Sequence, residues 1–211
     1  MMEHGDLARL RSALKGPLPG HDRFLELSGY KRPDLERARA MDPPPRESAV
    51  LALIYPREQV LHTLLMLRPT YPGVHSAQVG FPGGKQEPGD RSLEHTARRE
   101  FKEETGADPQ VEVLGSLTPI YIPPSGLLVT PFLGWTSDLG DLRPDPREVA
   151  ALIETPLDGL LRGDIIKQRD QFVQLLGRTI KVPYFEVQGH VVWGATAMMI
   201  AELRELLVVD R

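Results

Sequence analysis

The stretch Gly84-Lys85-Gln86-Glu87-Pro88-Gly89-Asp90, followed after eight intervening residues by Arg99-Glu100-Phe101-Lys102-Glu103-Glu104-Thr105-Gly106, combines a glycine turn with three glutamates. In a helix that turns about 100° per residue, Glu103 and Glu104 lie about 60° and about 40° to either side of Glu100. Like charges at these spacings destabilise a helix unless a cation lies among them. A hard divalent cation prefers oxygen ligands, so this face is predicted to bind one.

The residues around the glutamates predict a helix over about 91–105. Asp90 or Ser92 supplies a candidate N-cap, and Gly106 a C-cap. Leu93, Ala97 and Phe101 recur every four residues, which predicts an apolar stripe facing a core. The alternative is a solvated acidic surface in which Arg99 pairs with Glu103.

The rest of the chain reads as one globular domain over 46–211, preceded by an N-terminal helical extension over 1–45. Leucines at 7, 10 and 14 predict a short helix in that extension. Apolar and β-branched runs predict strands over 49–55, 60–67, 111–117, 129–135, 172–176 and 179–185, and a final helix follows over 196–207. Strands around two main helices indicate an α+β fold.

Composition limits the function. The 211 residues carry a formal net charge of −4, which argues against a general nucleic-acid-binding surface. No apolar run is long enough to span a membrane, and the N-terminus lacks signal-peptide features, so a cytoplasmic protein is expected. With no cysteine in the chain, any metal is held by oxygen or nitrogen ligands. The expected partner is a small phosphorylated molecule. A homodimer stays open, because the first 45 residues suit a dimer arm, a lid or a support.

The pattern of Gly84, Asp90, Arg99, Glu100, Phe101, Glu103, Glu104 and Gly106 resembles the Nudix box of hydrolases that act on nucleoside-diphosphate-linked compounds. Asp90 replaces the usual early glutamate, and the Gly84–Arg99 spacing is one residue longer than the commonest form. The resemblance implies an α/β/α sandwich with a mixed central sheet. It also implies Mg²⁺ or Mn²⁺ as cofactor, held by Glu100, Glu103, Glu104 and the carbonyl of Gly84.

The segment before the box resembles the coenzyme A pyrophosphatase branch of that family. A leucine-rich strand ends at Arg68, and His75 and Gln78 precede Phe81-Pro82-Gly83-Gly84. The resemblance implies that Arg68, His75, Gln78 and Phe81 bind substrate. Each has a structural alternative: Arg68 could pair with a surface acid, His75 could satisfy backbone groups, and Phe81 could lie in the core.

Pyrophosphate hydrolysis builds negative charge on phosphate oxygens, which a divalent metal neutralises. The predicted catalytic set is Glu100, Glu103, Glu104 and Arg99, with Arg99 orienting Glu103 and Glu148 as a further candidate carboxylate. The predicted reaction cleaves coenzyme A or its derivatives to 4′-phosphopantetheine and 3′,5′-ADP, as the branch resemblance implies. The alternatives are hydrolysis of ADP-ribose or NADH, or a non-catalytic nucleotide sensor.

Overall fold

The computed structural model describes residues 4–28, 33–70, 76–160, 165–173 and 176–208. The helices are α1 (His4–Ala13), α2 (Asp22–Leu25), α3 (Leu35–Arg39), α4 (Leu93–Thr105), α5 (Leu157–Leu160) and α6 (Gly194–Val208). The strands are β1 (Arg46–Arg57), β2 (Val60–Leu67), β3 (Val79–Gly80), β4 (Gly83–Lys85), β5 (Glu112–Ser116), β6 (Ile120–Ile122), β7 (Leu127–Trp135), β8 (Ala151–Pro156), β9 (Ile166–Val173), β10 (Arg178–Val187) and β11 (His190–Trp193).

A mixed sheet forms the centre of the described structure. Its main path runs β3-β2-β1-β7-β5, and β4, β6 and β8 pair with β1, β7 and β2. Strands β1 and β7 are parallel, whereas β1 pairs antiparallel with both β2 and β4. Strands β9, β10 and β11 form a separate antiparallel sheet. The predicted α+β fold with a mixed central sheet is confirmed.

Both faces of the central sheet are buried, which explains the almost unbroken apolar run of β1. Leu51 and Leu53 face a core shared with Ala97 and Phe101 of α4. Ala52 and Ile54 face the opposite core, which includes α6 and residues of α1 and β10. Because successive strand residues point to opposite faces, one strand serves both layers. The result is the α/β/α sandwich.

Helix α4 is defined by its ends and by its apolar stripe. The hydroxyl of Ser92 accepts from the backbone N–H of His95 at 3.1 Å, so Ser92 and not Asp90 is the N-cap. Gly106 ends the helix with a φ of 74°, a left-handed conformation that glycine adopts readily. Ala97 and Phe101 are 0% and 1% exposed. The predicted stripe is therefore confirmed.

The N-terminal helices pack against the end of the chain. Leu7 and Leu10 of α1 are buried in the core that includes α6. The buried carboxylate of Glu202 on α6 accepts from the backbone N–H of Gly20, from both the N–H and hydroxyl of Thr118, and lies 3.2 Å from His21 Nε2. These contacts favour a supporting role for the segment before β1. The domain boundary at residues 45/46 stays a prediction.

Strand pairing corrects two predicted elements. The strand predicted over 172–176 is β9, which lies earlier, because Ile166 to Val173 pair with Phe185 to Arg178 of β10. Residues 174 and 175 lie outside the described part. The predicted strand over 111–117 is the shorter β5.

Within the described ranges, no helix combines the length and apolar character needed to cross a membrane.

Candidate active site

Gly83 and Gly84, predicted as a turn, instead lie in a strand that packs against α4. Both residues belong to β4, where Gly83 pairs with Val50 and Gly84 with Ala49 of β1. A Cβ on Gly84 would lie 2.4 Å from Oε1 of Glu100, so only glycine leaves space for that carboxylate. On Gly83, the backbone N–H donates to Oε2 of Glu104 at 2.7 Å. Two glutamates of α4 therefore converge on one short strand.

Glu104 is the most deeply placed of these acids, with 3% of its surface exposed. Its Oε1 lies 3.3 Å from a guanidinium nitrogen of Arg68, and that nitrogen also donates to the carbonyl of Gly83. Burial raises the pKa of Glu104 to about 7, although Arg68 and the Gly83 N–H oppose the shift. The charges of Glu100 and Glu148 raise this pKa further.

Glu100 lies one helical turn before Glu104 on the same face of α4, with 17% of its side chain exposed. Burial raises its pKa, while the nearby guanidinium of Arg99, 3.1 Å from Oε1, lowers it. Two carboxylates that resist ionisation next to each other would be stabilised in their charged form by a cation between them.

Arg99 is fixed by a buried partner. Its Nε and a terminal nitrogen donate to the two oxygens of Asp90 at 3.0 and 2.9 Å. The same guanidinium donates to the carbonyl of Lys85 and to Oε2 of Glu103. These bonds from Arg99 hold the pKa of Asp90 well below its usual range. Asp90 therefore acts through Arg99, which orients Glu100 and Glu103 as well as β4.

Glu103 separates from the other two glutamates. Its side chain is 53% exposed and forms the i,i+4 pair with Arg99 that the sequence predicts. Among the described residues, no three or more acidic or histidine side chains lie close enough to hold one metal ion. The structure thus brings Glu100 and Glu104 together at Gly84 and does not bring Glu103 to them. The 100° between Glu103 and Glu104 explains the division, because α4 lies at the boundary between core and solvent.

The remaining predicted residues fall in different environments. Arg68 pairs with a buried acid of the box and not with a surface acid. Gln78 is half-buried beside β3, and its backbone carbonyl accepts from the backbone N–H of Arg68. Phe81 is 3% exposed within the core beneath α6, which favours its structural alternative. His75 lies outside the described residues.

Ser48 is a site residue that the sequence analysis missed. Its side chain is buried in β1, and its hydroxyl donates to the carbonyl of Gly84 at 2.6 Å. Only the pairing of β1 with β4 brings the two residues together, and no sequence pattern signals that pairing. Ser48 therefore fixes the direction of the carbonyl that the sequence analysis named as a metal ligand.

The donor set suits a hard divalent cation. Carboxylate oxygens of Glu100 and Glu104 and the carbonyl oxygen of Gly84 are all ligands that Mg²⁺ and Mn²⁺ accept. The absence of a side chain at Gly84 leaves room for the Glu100 carboxylate next to the backbone. These residues therefore fit the expected metal.

An α/β/α sandwich whose glycine-rich strand meets the glutamates of one helix defines the class of Nudix hydrolases. The NUDIX domain model matches residues 45–176, more than half of the chain. The chain belongs to the Nudix hydrolase family, and it is an enzyme acting on phosphorus anhydrides. Nudix hydrolases generally use divalent metal ions.

Similar proteins occur in bacteria and eukaryotes. The "Uncharacterized Nudix hydrolase NudL" of Yersinia enterocolitica is 33% identical over 193 residues, which cover 87% of this chain and 97% of that protein. The human "Mitochondrial coenzyme A diphosphatase NUDT8" is 36% identical over 150 residues, covering 70% of this chain and 62% of that protein. Against the Arabidopsis thaliana relatives, the chain spans about half of their length.

A solved structure agrees with the fold. The MutT/nudix family protein from Enterococcus faecalis has a TM-score of 0.51 and 16% identity, and the match covers 100% of this chain and 76% of that one. At this identity the likeness shows the fold alone.

The raised pKa of Glu104 predicts a pH-dependent stability difference in metal-free protein. A carboxyl whose folded pKa of about 7 exceeds its ordinary 4.5 favours folding below pH 4.5, and the folded state loses that advantage as pH rises to 7. Relative to Glu104→Gln, the wild-type free energy of unfolding should fall by about 3 kcal/mol across this range. Urea unfolding at intervals from pH 4.5 to 7.5 measures it. The exposed Glu103→Gln is the control. A Glu104→Gln difference that stays constant with pH would contradict the argument.

Proposed function

We propose that this protein is a Mg²⁺- or Mn²⁺-dependent pyrophosphatase that hydrolyses coenzyme A or its derivatives to 4′-phosphopantetheine and 3′,5′-ADP. The observation that carries the proposal is the convergence of Glu100 and Glu104 on the backbone of Gly83 and Gly84. The coenzyme A assignment is supported by the branch motif from the strand ending at Arg68 to Phe81-Pro82-Gly83-Gly84, and by the similarity to the human coenzyme A diphosphatase.

Glu100, Glu104 and the carbonyl of Gly84 would hold the cation, with exposed Glu103 as a ligand through water. When bound, a divalent cation neutralises diphosphate oxygens and makes a bound water more acidic. The protein holds its ligands in place: Arg68 and the Gly83 N–H fix Glu104, and Arg99 fixes Glu100.

The reaction needs a proton acceptor for the attacking water. The water oxygen bonds to one phosphorus, the bridging P–O bond breaks, and the departing phosphate carries the bridging oxygen away. One of the α4 glutamates or Glu148 takes the proton. Glu148 is exposed, and its charge raises the pKa of Glu104, which places it within electrostatic reach of the site. Arg68 and Gln78 are the proposed substrate contacts, and His75 remains a prediction from the motif.

A substrate panel tests the proposal. Coenzyme A, ADP-ribose and NADH are incubated separately with enzyme and either Mg²⁺ or Mn²⁺, and the products are resolved by mass. We expect coenzyme A to release 4′-phosphopantetheine. We also expect its kcat/KM to be higher than that of ADP-ribose or NADH. Preferred cleavage of ADP-ribose or NADH would overturn the substrate, and no turnover of any of the three would favour a nucleotide sensor. The cytoplasmic location stays a prediction.

Ser48 provides a test of the Gly84 carbonyl as a ligand. Ser48→Ala removes the hydroxyl that donates to this carbonyl, so the carbonyl loses its fixed direction. We expect the Mg²⁺ concentration for half-maximal activity to rise roughly tenfold, the lower end of the effect of losing a partner that orients a metal ligand. Isothermal titration calorimetry with Mn²⁺ measures the same decrease in metal affinity in the absence of substrate. Ser48→Thr keeps the hydroxyl and serves as the control. Unchanged metal affinity in Ser48→Ala would exclude the role.

A further inference from the structure

A cavity lies between the chain before β3 and the three-stranded sheet. Its volume is about 270 Å³. The polar and aromatic side chains that line it are Ser76, Gln78, Arg169, Gln171, His190 and Trp193. Arg169 and Gln171 come from β9, and His190 and Trp193 from β11, so the sheet contributes from both of its edges.

The chemistry of this cavity is opposite to that of the α4 site. No aspartate or glutamate is among the described residues that line it, although the chain as a whole carries a net charge of −4. Arg169 contributes a guanidinium whose terminal nitrogen donates to Oε1 of Gln171 at 2.6 Å. An arginine together with other hydrogen-bond donors, including a ring N–H of His190, suits an anion with several acceptor oxygens.

Trp193 adds a flat apolar surface to the same cavity. It is half-buried and lies next to Val191, which also lines the space. An indole ring can stack on a nucleobase while the neighbouring cation holds a phosphate. Together these groups match an adenosine phosphate better than an uncharged amide chain.

The cavity and the α4 site are joined through two short stretches of chain. Leu67 lines the cavity, and the next residue, Arg68, contacts Gly83 and Glu104. Val79 also lines it and precedes Gly83 by four residues, so their Cα atoms are at most about 14 Å apart. A substrate that occupies both places must therefore be long enough to span this distance.

We propose that this cavity binds the 3′-phosphate and adenosine part of the substrate, with Arg169 as the main phosphate contact and Trp193 beneath the base. The proposal rests on the proposed hydrolysis of coenzyme A, and it assigns the three-stranded sheet a role in substrate selection. It explains how the enzyme would distinguish coenzyme A from a nucleotide diphosphate that lacks the extra phosphate.

The test compares coenzyme A with 3′-dephospho-coenzyme A, which differ only in that phosphate. In Arg169→Gln, the KM for coenzyme A should rise on the order of tenfold, because one charge-assisted contact is lost. The kcat for coenzyme A and the KM for the dephospho form should change less than about twofold, since neither depends on the 3′-phosphate contact. Arg178→Gln is the matched control, because Arg178 is an exposed arginine on the same sheet that does not line the cavity.

A binding measurement separates this proposal from the proposed function. Isothermal titration calorimetry measures the affinities of adenosine 3′,5′-bisphosphate and AMP for wild type, Arg169→Gln and Arg178→Gln. This measurement does not depend on turnover. A preference for the bisphosphate that Arg169→Gln alone loses would support the cavity even if coenzyme A is not hydrolysed. Hydrolysis of coenzyme A with the same KM in wild type and Arg169→Gln would overturn the cavity assignment and leave the proposed function intact.

Discussion

Replacing Glu104 with glutamine is expected to lower kcat for diphosphate hydrolysis on the order of 10³-fold, with Mg²⁺ or Mn²⁺ present. The substitution keeps the size of the side chain and an oxygen that can accept from the Gly83 N–H, but it removes the charge beside Glu100. A carboxylate that is 3% exposed is shielded from bulk solvent, so water cannot readily take its place. Steady-state kinetics over a range of Mg²⁺ concentrations measures the loss.

The matched control is Glu103→Gln, one residue away on the same helix. Glu103 is 53% exposed and paired with Arg99, and it does not join the other two carboxylates at Gly84. We expect its loss to cost about tenfold, because an exposed ligand that acts through water contributes less. Equal losses in the two variants would show that all three glutamates bind the cation directly, as the helix geometry alone predicts.

Replacing Asp90 with alanine is expected to lower the free energy of unfolding by about 3 kcal/mol, because Arg99 loses a paired carboxylate. The Asp90 side chain is 1% exposed and accepts from Glu87, His95, Thr96 and Arg99. The Tm should fall by roughly 6–12 °C for a chain of this size. Urea unfolding at pH 7 and thermal unfolding measure the change.

Asp108→Ala is the control for Asp90, because its pair with Lys102 is solvent-exposed and such pairs contribute little.

The low pKa of Asp90 allows a second test of the same ion pair, through the pH dependence of stability. Its ion pair stabilises the fold above the ordinary carboxyl pKa of 3.8, and that contribution is lost as pH falls below it. The difference between wild type and Asp90→Ala should therefore shrink below about pH 4. A small difference at pH 7 would mean that Arg99 finds other partners.

The sequence predicted those helices and strands that are specified by residues close to them in the chain. The period of Leu93, Ala97 and Phe101 and the caps at Ser92 and Gly106 are sufficient to define α4. The run 60–67 matches β2 at both ends, because a two-residue turn at Glu58 and Gln59, both with positive φ, starts it. Such signals lie within a few residues of the elements that they specify.

Contacts between distant segments could not be predicted in the same way. Strand β4 is three residues long and rich in glycine, so only its pairing with β1 makes it a strand. The contacts of Ser48 with Gly84 and of Arg68 with Glu104 follow from that pairing. Helix periodicity predicted the angles among the three glutamates. Which of them are buried depends on how α4 packs against the sheet, and the sequence does not show that packing.

The position of Gly83 and Gly84 within β4 has a thermodynamic consequence. Because the backbone that meets Glu100 and Glu104 is also paired with β1, a cation bound there is linked to the stability of the central sheet. A cation at a hundred times its dissociation constant would add about 2.7 kcal/mol to the free energy of unfolding. The supply of divalent ions would then set the abundance of the protein as well as its turnover, since unfolded chains are removed by proteases.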